Sequence, residues 1–455
     1  MSRNNNKSSF LSLLIVVSIV AGAAYVYFSS TFERNAPKIS LKNNGFWNLK
    51  DPLEVVISDD SGIKEYRVTL KTQSDESDLE YEEPIQASKS VNLQLKPPRA
   101  AQTMKETSVE IIVKAKDISR WDFFNGNSAT QTFKLTIDKM RPKISIVGNS
   151  YKISRGGSAL VVFKAEDENL NELFIEIETN KTFKVEPFYK EGYYIALLAW
   201  PISDNSFKAT IVAKDSAGNF AKSYVPLYLK NRDYLLSNIK LTDKFLKGKI
   251  ADLAEVFEET QGVVNPIEQF KLINETVREK NEKLIHEITS EVPKEMISNF
   301  KIQTLYPLKN GKVVAGFGDH RKYYYNDAFI SEAYHLGLDM ASNAMAPIIS
   351  KNGGKVVFAD DNGLYGNMPI ISHGLGLYTL YGHCSGMDVA RGDEVSPGVK
   401  IANTGKSGYA MGDHLHFGVL VQGVEVRPQE WMDKQWIQLN IYDVIKSAIS
   451  VIDKN

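Results

Sequence analysis

The sequence predicts a multidomain, mainly β protein that has an N-terminal transmembrane helix, two β-sandwich modules, a helical connector and a C-terminal β-rich domain. Three observations support this fold class. The length of 455 residues corresponds to about three domains of roughly 150 residues each. An uncharged apolar run lies close to the N-terminus, and strand-like segments recur at a spacing of about 100 residues, the size of a small sandwich.

The composition narrows the possible functions before any motif is considered. The chain has 54 basic and 55 acidic side chains, and the net charge of -1 provides no general attraction for nucleic acid or acidic lipid. Hydrophobic residues make up 43%, as expected of a folded protein. A single cysteine, Cys384, excludes an intramolecular disulfide and any metal site built from several thiolates. Because the net charge is close to zero, no nucleic acid partner is expected.

The N-terminal apolar run predicts a membrane anchor over residues 10–29. The segment Phe10–Phe28 has no charge, and at 1.5 Å per residue it nearly crosses a hydrocarbon core of about 30 Å. Arg3 and Lys7 precede it, which places residues 1–9 in the cytoplasm and the rest of the chain in the periplasm. A cleaved signal peptide is the alternative, because Ala21-Gly22-Ala23 fits a cleavage site, but the run exceeds the usual 7–15 residues.

Two stretches after the anchor resemble each other and predict immunoglobulin-like modules over residues 30–140 and 141–232. Their strand-like runs end in turn chemistry such as Asp215-Ser216-Ala217-Gly218-Asn219. A plain spacer is favoured over a module that binds a protein partner. The matching segments are Pro37–Leu41 with Pro142–Ile146, Val55–Ile57 with Val161–Phe163, and Val113–Asp117 with Ile211–Asp215.

Residues 233–300 change to a helical pattern, and residues 433–455 end the chain with another. Apolar residues at helical spacing favour a hairpin whose stripe packs on a neighbouring domain. The C-terminal helix is likewise expected to pack back on a domain rather than to bind a partner. The connector stripe contains Leu246, Ile250, Leu253, Phe257, Phe270, Ile273, Val277, Leu284 and Ile288, and the C-terminal stripe contains Ile441, Val444, Ile445, Ala448, Ile449 and Ile452.

The chemistry concentrates near the C-terminus, where five of the seven histidines lie between residues 335 and 416. Alternation over Tyr334–Met340 predicts one strand with His335 and Asp339 on the same face. Alternation over Asp413–Phe417 places His414 and His416 together on one face. His383 follows a third strand-like run, and His373 precedes that run. Three strands are thus expected to share one polar cluster.

Imidazole nitrogens and one carboxylate oxygen suit Zn²⁺, and catalytic zinc commonly has three protein ligands and a water. Three ligands from this cluster leave further histidines to move protons, which points to hydrolysis of an amide bond. The H-E-x-x-H pattern is absent, because His286-Glu287 has no second histidine at the required spacing, and no G-x-S-x-G lies near the cluster.

These motifs resemble the lysostaphin/LytM-type zinc metallopeptidases, which cut peptide bridges in peptidoglycan. The resemblance covers about Leu305–Met432, within a predicted domain at residues 301–432, and rests on H-x-x-x-D, Y-G-H and H-x-H in the family's order, with Gly316-Phe317-Gly318 before them. It implies one Zn²⁺ and a specific role for each side chain. The implied zinc ligands are His335, Asp339 and His416, and the implied catalytic histidines are His383 and His414.

The resemblance to membrane-anchored Gram-negative members implies a D,D-endopeptidase that cleaves D-Ala to meso-diaminopimelate bonds, with glycine bridges as the enzymatic alternative. A non-catalytic scaffold that activates another cell-wall hydrolase is the alternative from a different class. The connector has a second interpretation, as an inhibitory segment over the catalytic groove. In that case a chain that begins near Lys301 is expected to be faster than the whole ectodomain.

The sequence departs from the family at one position and leaves two others open. Asp413 stands where the family often has proline, next to His414. A long loop from Asp319 to Ala333 is expected to wall the substrate groove with Tyr323, Tyr324 and Tyr325, with local packing as the alternative. A thiol nucleophile at Cys384 is disfavoured, because neighbours on an extended chain point to opposite sides.

Overall fold

The computed structural model describes residues 5–84, 86–99, 101, 103–293 and 295–454, with side chains from Phe10 onward. It confirms the mainly β fold class. The chain divides into two compact units. The first contains Met1–Pro142, Asp167–Asn171 and Lys214–Phe220, and the second contains Lys143–Glu166, Glu172–Ala213 and Ala221–Asn455.

The chain begins with the helix Asn5–Phe28, followed by the short 3₁₀ turn Ser30–Phe32. Within the helix, Phe10–Phe28 is long and apolar enough to cross a membrane by length and composition, and its side chains are not buried by the protein. A signal sequence has the same two properties. Arg3 lies outside the described residues, as does the side chain of Lys7.

The first unit is built on one long strand. Leu53–Lys71 pairs through its first half with Lys38–Lys42 and Ser88–Leu95, and through its second half with Glu76–Glu82 and Ser108–Asp117. The register shifts near Gly62, whose φ of 117° favours glycine. Other elements of this unit are the strands Phe46–Trp47 and Ser128–Ile137 and the short turn Trp121–Phe124. A buried core contains the alternate side chains Leu53, Val55 and Ile57 of the long strand.

One of the sequence echoes has a structural counterpart. Asp117 and Asp215 each accept a hydrogen bond from the backbone N–H of an asparagine, Asn127 or Asn219, at 2.8 Å. Each asparagine Nδ2 also donates to the other oxygen of the same carboxylate, again at 2.8 Å. The same local geometry therefore recurs at both positions. The immunoglobulin-like assignment of the two modules stays a prediction.

The strands that follow form two four-stranded sheets and a parallel pair. The first sheet has the order Glu186–Pro187, Tyr193–Ala199, Ser158–Glu166 and Lys143–Asn149. The second has the order Thr182–Lys184, Leu170–Glu176, Thr210–Asp215 and Phe220–Tyr224. The parallel pair is Tyr228–Lys230 with Lys152–Ser154.

The sheet that carries the histidines has eight strands among the described residues. Its order is Lys312–Ala315, Leu338–Ala341, Leu415–Val421, Leu377–Gly382, Asn367–Ser372, Gly354–Asp361 and Glu394–Val395, with Val424–Val426 beside Leu415–Val421. Two three-stranded sheets accompany it. One contains Leu236–Lys240, His320–Tyr325 and Ala328–Tyr334, and the other contains Pro347–Ile349, Lys400–Asn403 and Gly386–Met387.

The connector is mostly helical, as predicted, but it begins with a strand. Leu236–Lys240 pairs in parallel with His320–Tyr325, so the helical prediction is wrong for these residues. The exposed edge of that hairpin offers backbone partners that a local helical pattern does not reveal. Two helices follow, with a 3₁₀ turn at Glu258–Thr260. They are Asp243–Phe245, Leu246–Ile250 and Ala251–Ala254, then Pro266–Leu272, Ile273–Val277 and Arg278–Thr289, each with a π-helical middle segment.

The apolar stripe of the connector packs on the histidine-bearing sheet, which confirms the packing interpretation. Phe270, Ile273 and Val277 share one hydrophobic core with sheet residues such as Ile370 and Leu380. The stripe is wrong at one place, since Leu284 is 39% exposed and Ile285 is 1% exposed. The wide π-helical turn at Ile273–Val277 adds a residue to one turn and thereby shifts the buried face.

The C-terminal helices also pack back on the fold. They are Pro428–Trp431, then Lys434–Ile437, Gln438–Tyr442 and Asp443–Ile452. Five of the six predicted stripe residues are buried, and Ile449 is half-buried. Ser150 Oγ donates to Asn440 O at 3.0 Å, and Val444 and Ala448 lie against Gly148. The prediction for this stripe is therefore confirmed.

Candidate active site

His335 and Asp339 lie close together, but a turn and not a single strand brings them together. Strand Ala328–Tyr334 ends immediately before His335, and strand Leu338–Ala341 begins three residues later, so the prediction of one strand is wrong. The chain passes closely beneath a neighbouring strand at Gly337. A Cβ at Gly337 would lie 2.5 Å from His416 Nε2 and 2.8 Å from Phe417 O. Only glycine permits this approach.

Three donor atoms converge at this turn. His335 Nε2 lies 2.9 Å from Asp339 Oδ1 and 3.1 Å from His416 Nδ1. His416 Nδ1 in turn lies 2.9 Å from Asp339 Oδ1. Asp339 and His416 are direct cross-strand partners in the sheet, which sets their side chains on one face. The structure thus brings together the three residues that the sequence predicts as metal ligands.

The chemistry of these three residues fits a bound cation. His335 Nδ1 donates to the carbonyl oxygen of Gly316 at 2.8 Å, which leaves a lone pair on Nε2 in the neutral ring. That lone pair faces a carboxylate oxygen. Two acceptor atoms at 2.9 Å are stable only with a proton or a cation between them. Two imidazole nitrogens and one carboxylate oxygen are a donor set that zinc prefers.

The two other predicted histidines border the same cluster. The ring of His383 lies 4.8 Å from that of His414 and 5.9 Å from that of His416, between centroids. His383 Nδ1 donates to Ser407 O at 2.9 Å, and His414 Nδ1 donates to Gly412 O at 2.8 Å. The Nε2 atoms of both rings therefore remain available for proton transfer. His383 has a φ of 64°, a left-handed conformation that is uncommon without glycine.

Burial and contacts with neighbouring charges shift the pKa values of the clustered side chains in different directions. Burial opposes ionisation of Asp339, but hydrogen bonds with His335, His414 and His416 outweigh it and hold its pKa well below the usual range. Burial lowers the pKa of His383 to about 3 and that of His416 to about 4. Burial also acts against protonation of His414, yet its contact with Asp339 raises the pKa above the ordinary value.

The questions that the sequence left open at Asp413 and Cys384 have structural answers. Asp413 accepts hydrogen bonds from Thr404 Oγ1 at 2.6 Å and from the backbone N–H of Met345 at 3.0 Å, so it fastens two loops beside His414. Cys384 is fully buried, and burial raises the pKa of its thiol to about 12. A thiolate nucleophile is therefore excluded.

His373 and the three tyrosines have distinct surroundings. His373 contacts Gly353 O and Thr379 Oγ1, both at 2.8 Å, and is not among the converging donors. The predicted loop from Asp319 to Ala333 is a β-hairpin, so that prediction is wrong. Tyr323 both lines the groove and takes part in local packing, since its ring lies 5.0 Å from that of Phe270. Tyr324 and Tyr325 do not line it.

The histidines open into a cavity of about 590 Å³, here called the catalytic groove. Sequence reasoning missed several residues that line it. Tyr365 packs its ring 5.2 Å from that of His416, and Arg321 bonds Asp319 at 3.1 Å while reaching within 3.9 Å of Asp339. Lys240 and Arg278 line the side formed by the connector. No local pattern marks these residues, because each reaches the groove through long-range pairing.

The close approach at Gly337 yields a testable prediction. Gly337→Ala inserts a methyl group 2.5 Å from His416 Nε2, so the buried His416 ring must shift away from its present position. We expect metal affinity to fall about 10- to 100-fold, as for other losses of ligand orientation. Metal titration by competition with a chromophoric chelator measures the change. The matched variant Gly386→Ala, with open space at its Cβ, should retain the original affinity.

A His-Asp-His donor set flanked by two further histidines, on an antiparallel sheet, is typical of the centres of metallohydrolases. Residues 333–428 match the model of Peptidase family M23, so the C-terminal part of the chain contains a domain of that family. All five predicted site residues lie within the matched range. The match covers that part of the chain only.

Similar proteins include both hydrolases and an activator. The chain is 34% identical over 119 residues to peptidoglycan DD-endopeptidase ShyB of Vibrio cholerae, which is 26% of this chain and 27% of the relative. It is 32% identical over 128 residues to murein hydrolase activator NlpD of Salmonella dublin, 28% and 30% of the two chains. The chain thus spans less than a third of the length of either relative.

A solved structure matches a larger part of the chain at lower sequence identity. The crystal structure of a putative peptidase M23 from Pseudomonas aeruginosa is 20% identical, with a TM-score of 0.39, and the match covers 62% of this chain and 95% of that one.

Proposed function

We propose that this protein is a zinc-dependent endopeptidase that hydrolyses the peptide cross-links of peptidoglycan, as a D,D-endopeptidase on D-Ala to meso-diaminopimelate bonds. The observation that carries the proposal is the complete site. His335, Asp339 and His416 converge within hydrogen-bonding distance, and His383 and His414 border them in one groove. The similarity to a peptidoglycan DD-endopeptidase supports the substrate class.

His335, Asp339 and His416 would hold one Zn²⁺. The ion, when bound, would polarise a carbonyl group and lower the pKa of a water molecule. Residues around the three ligands fix the orientation of their side chains. Gly316 O sets the tautomer of His335, and Arg321 faces the carboxylate of Asp339.

The two flanking histidines are suited to move protons. The low pKa of His383 favours the neutral ring, whose Nε2 accepts a proton because its Nδ1 already donates to Ser407 O. The raised pKa of His414 favours the protonated ring, whose Nε2–H donates to the developing oxyanion or the leaving amine. A proton acceptor, His383, and a proton donor, His414, thus lie next to each other in the groove.

The connector side of the groove fits an acidic peptide. Lys240 and Arg278 line this side of the groove, and Arg321 adds a third positive charge beside Asp339. Peptidoglycan stems carry free carboxylates, which such groups bind with charge-assisted hydrogen bonds. The apolar segment Phe10–Phe28 supports a further part of the proposal, a single anchor in the cytoplasmic membrane with the catalytic domain in the periplasm.

Digestion of purified cross-linked muropeptides tests the proposal. We expect the ectodomain with added Zn²⁺ to convert dimers to monomers, and mass spectrometry of the products identifies the bond. Intact dimers after prolonged incubation would exclude the endopeptidase activity.

The alternative is a non-catalytic activator of another cell-wall hydrolase, which the similarity to NlpD supports. The two functions differ in the need for metal. An activator has no use for a loaded site, whereas the proposed enzyme retains about one zinc per chain after dialysis. Metal analysis of the native protein therefore discriminates between them before any substrate is used.

A further inference from the structure

A second cavity, of about 330 Å³, lies in the C-terminal unit and shares no lining residue with the catalytic groove. It is here called the basic cavity. Four cationic side chains line it: Lys152 and Lys230 from the parallel strand pair, Arg232 after that pair, and Arg427 before the helix Pro428–Trp431. Nothing in the proposed hydrolysis uses these residues.

The positive charge of the basic cavity is not compensated by direct ion pairs. None of the four cations forms a salt bridge within the described part of the chain. The nearest carboxylates that line the cavity belong to Glu430 and Asp433, so four positive charges face two negative ones. Burial and the neighbouring Arg232 both lower the pKa of Arg427. Mutual repulsion of this kind is relieved when an anion binds.

Two buried polar atoms at the basic cavity lack partners among the described residues. One is Arg232 Nε, a donor, and the other is Gln429 Oε1, an acceptor. An unpartnered buried polar atom costs about 1–3 kcal/mol, so each is an unmet demand for a ligand atom. Glu430, 6% exposed, is held against the N–H of Ser158 at 3.0 Å and adds a second fixed acceptor. A ligand that combines an anionic group with a hydrogen-bond donor would therefore complement the cavity.

We propose that the basic cavity binds an uncut acidic stem peptide of peptidoglycan, as a second wall-binding site separate from the catalytic groove. The inference rests on the proposed function for the choice of peptide. A stem peptide has several carboxylates for the four cations, and it has amide N–H groups and a free amine for Gln429, Glu430 and Asp433. Inorganic phosphate has the negative charge, but its only donors are P–OH groups, and it has no amide N–H or amine. The half-buried indole of Trp436 adds an apolar wall for the peptide backbone.

A second site changes how the enzyme meets its insoluble substrate. Binding of one stem at the basic cavity holds a neighbouring strand near the groove and raises the effective concentration of cross-links there. The basic cavity then affects activity on whole sacculi much more than activity on small soluble dimers.

Calorimetric titration of the full-length protein with the free tetrapeptide L-Ala-γ-D-Glu-meso-diaminopimelate-D-Ala tests the inference. This probe has no cross-link, so its binding is independent of whether the protein hydrolyses one. We expect the double variant Lys230→Gln/Arg232→Gln to bind the tetrapeptide at least about tenfold more weakly, because two charge-assisted contacts are lost. Lys446→Gln, an exposed lysine outside the cavity, is the matched control and should bind like the original protein.

Further variants and probes make each outcome decisive. Lys152→Gln/Lys230→Gln changes only exposed side chains and should also weaken binding, which guards against a folding defect at Arg232. Unchanged affinity in both double variants overturns the inference, as does loss of binding in His414→Ala alone, which would place the peptide in the groove. Phosphate that binds as tightly as the tetrapeptide also overturns it. Normal tetrapeptide binding without hydrolysis of dimers would instead reject only the endopeptidase.

Discussion

His416→Ala is expected to lose both the bound metal and the hydrolytic activity. His416 Nδ1 is one of three converging donors, and its ring is buried, so the substitution leaves two of the three proposed ligands. Changes to the outer hydrogen-bond partners of metal ligands cost about 10–100-fold, and loss of a ligand itself should cost on the order of 10³-fold or more in rate. Metal content after dialysis and the initial rate on muropeptide dimers measure the two effects.

The matched control for this substitution is His286→Gln, which changes a histidine of the connector. Its Nε2 contacts Glu425 at 2.8 Å, and a glutamine amide keeps a donor for that carboxylate. We expect full metal content and an unchanged rate. A His416→Ala protein that keeps its zinc and its rate would show that the His-Asp-His cluster is not the catalytic centre.

Phe270→Ala is expected to destabilise the second unit, which contains the histidine-bearing sheet, by about 3–5 kcal/mol, the usual cost of removing a buried phenylalanine ring. Phe270 is fully buried, and its ring lies 5.0 Å from that of Tyr323 and 6.3 Å from that of Phe245. The substitution therefore opens a cavity between the connector and the sheet. Thermal and denaturant unfolding of the purified protein measure the loss.

Phe329→Ala is the control, because it makes the same chemical change at a phenylalanine that is 55% exposed, in the strand Ala328–Tyr334. It should cost less than about 1 kcal/mol. Equal unfolding midpoints for the two variants would contradict the shared core. The same core bears on a chain that begins near Lys301, which would expose the sheet residues that Phe270 covers. Its rate would then report on misfolding, and the inhibitory role of the connector stays a prediction.

The sequence predicted which side chains lie together at the site more accurately than it predicted the backbone that carries them. His414 and His416 flank the buried Leu415 as alternation predicts, since strand periodicity is a local property. The turn at His335 was missed because it depends on Gly337 passing under His416, a contact between distant residues. Tyr365 and Arg278 were missed for the same reason.

The connector shows a second limit of sequence prediction. Its apolar spacing identified the buried faces around Phe270 and Val277, but the face was off by one residue at Leu284. A regular 3.6-residue period cannot anticipate a π-helical turn, which depends on how the helix settles on the sheet. The strand Leu236–Lys240 was missed because its partner lies about 80 residues away in the chain, beyond any local pattern.

Asp339 and His416 are directly opposite each other on neighbouring strands, so metal binding at these residues depends on how the two strands are aligned. A slip of one residue between their strands would turn one ligand to the opposite face of the sheet, because side chains alternate. Only molecules with the native alignment can then assemble the three donors. A bound metal would thereby favour correctly aligned molecules.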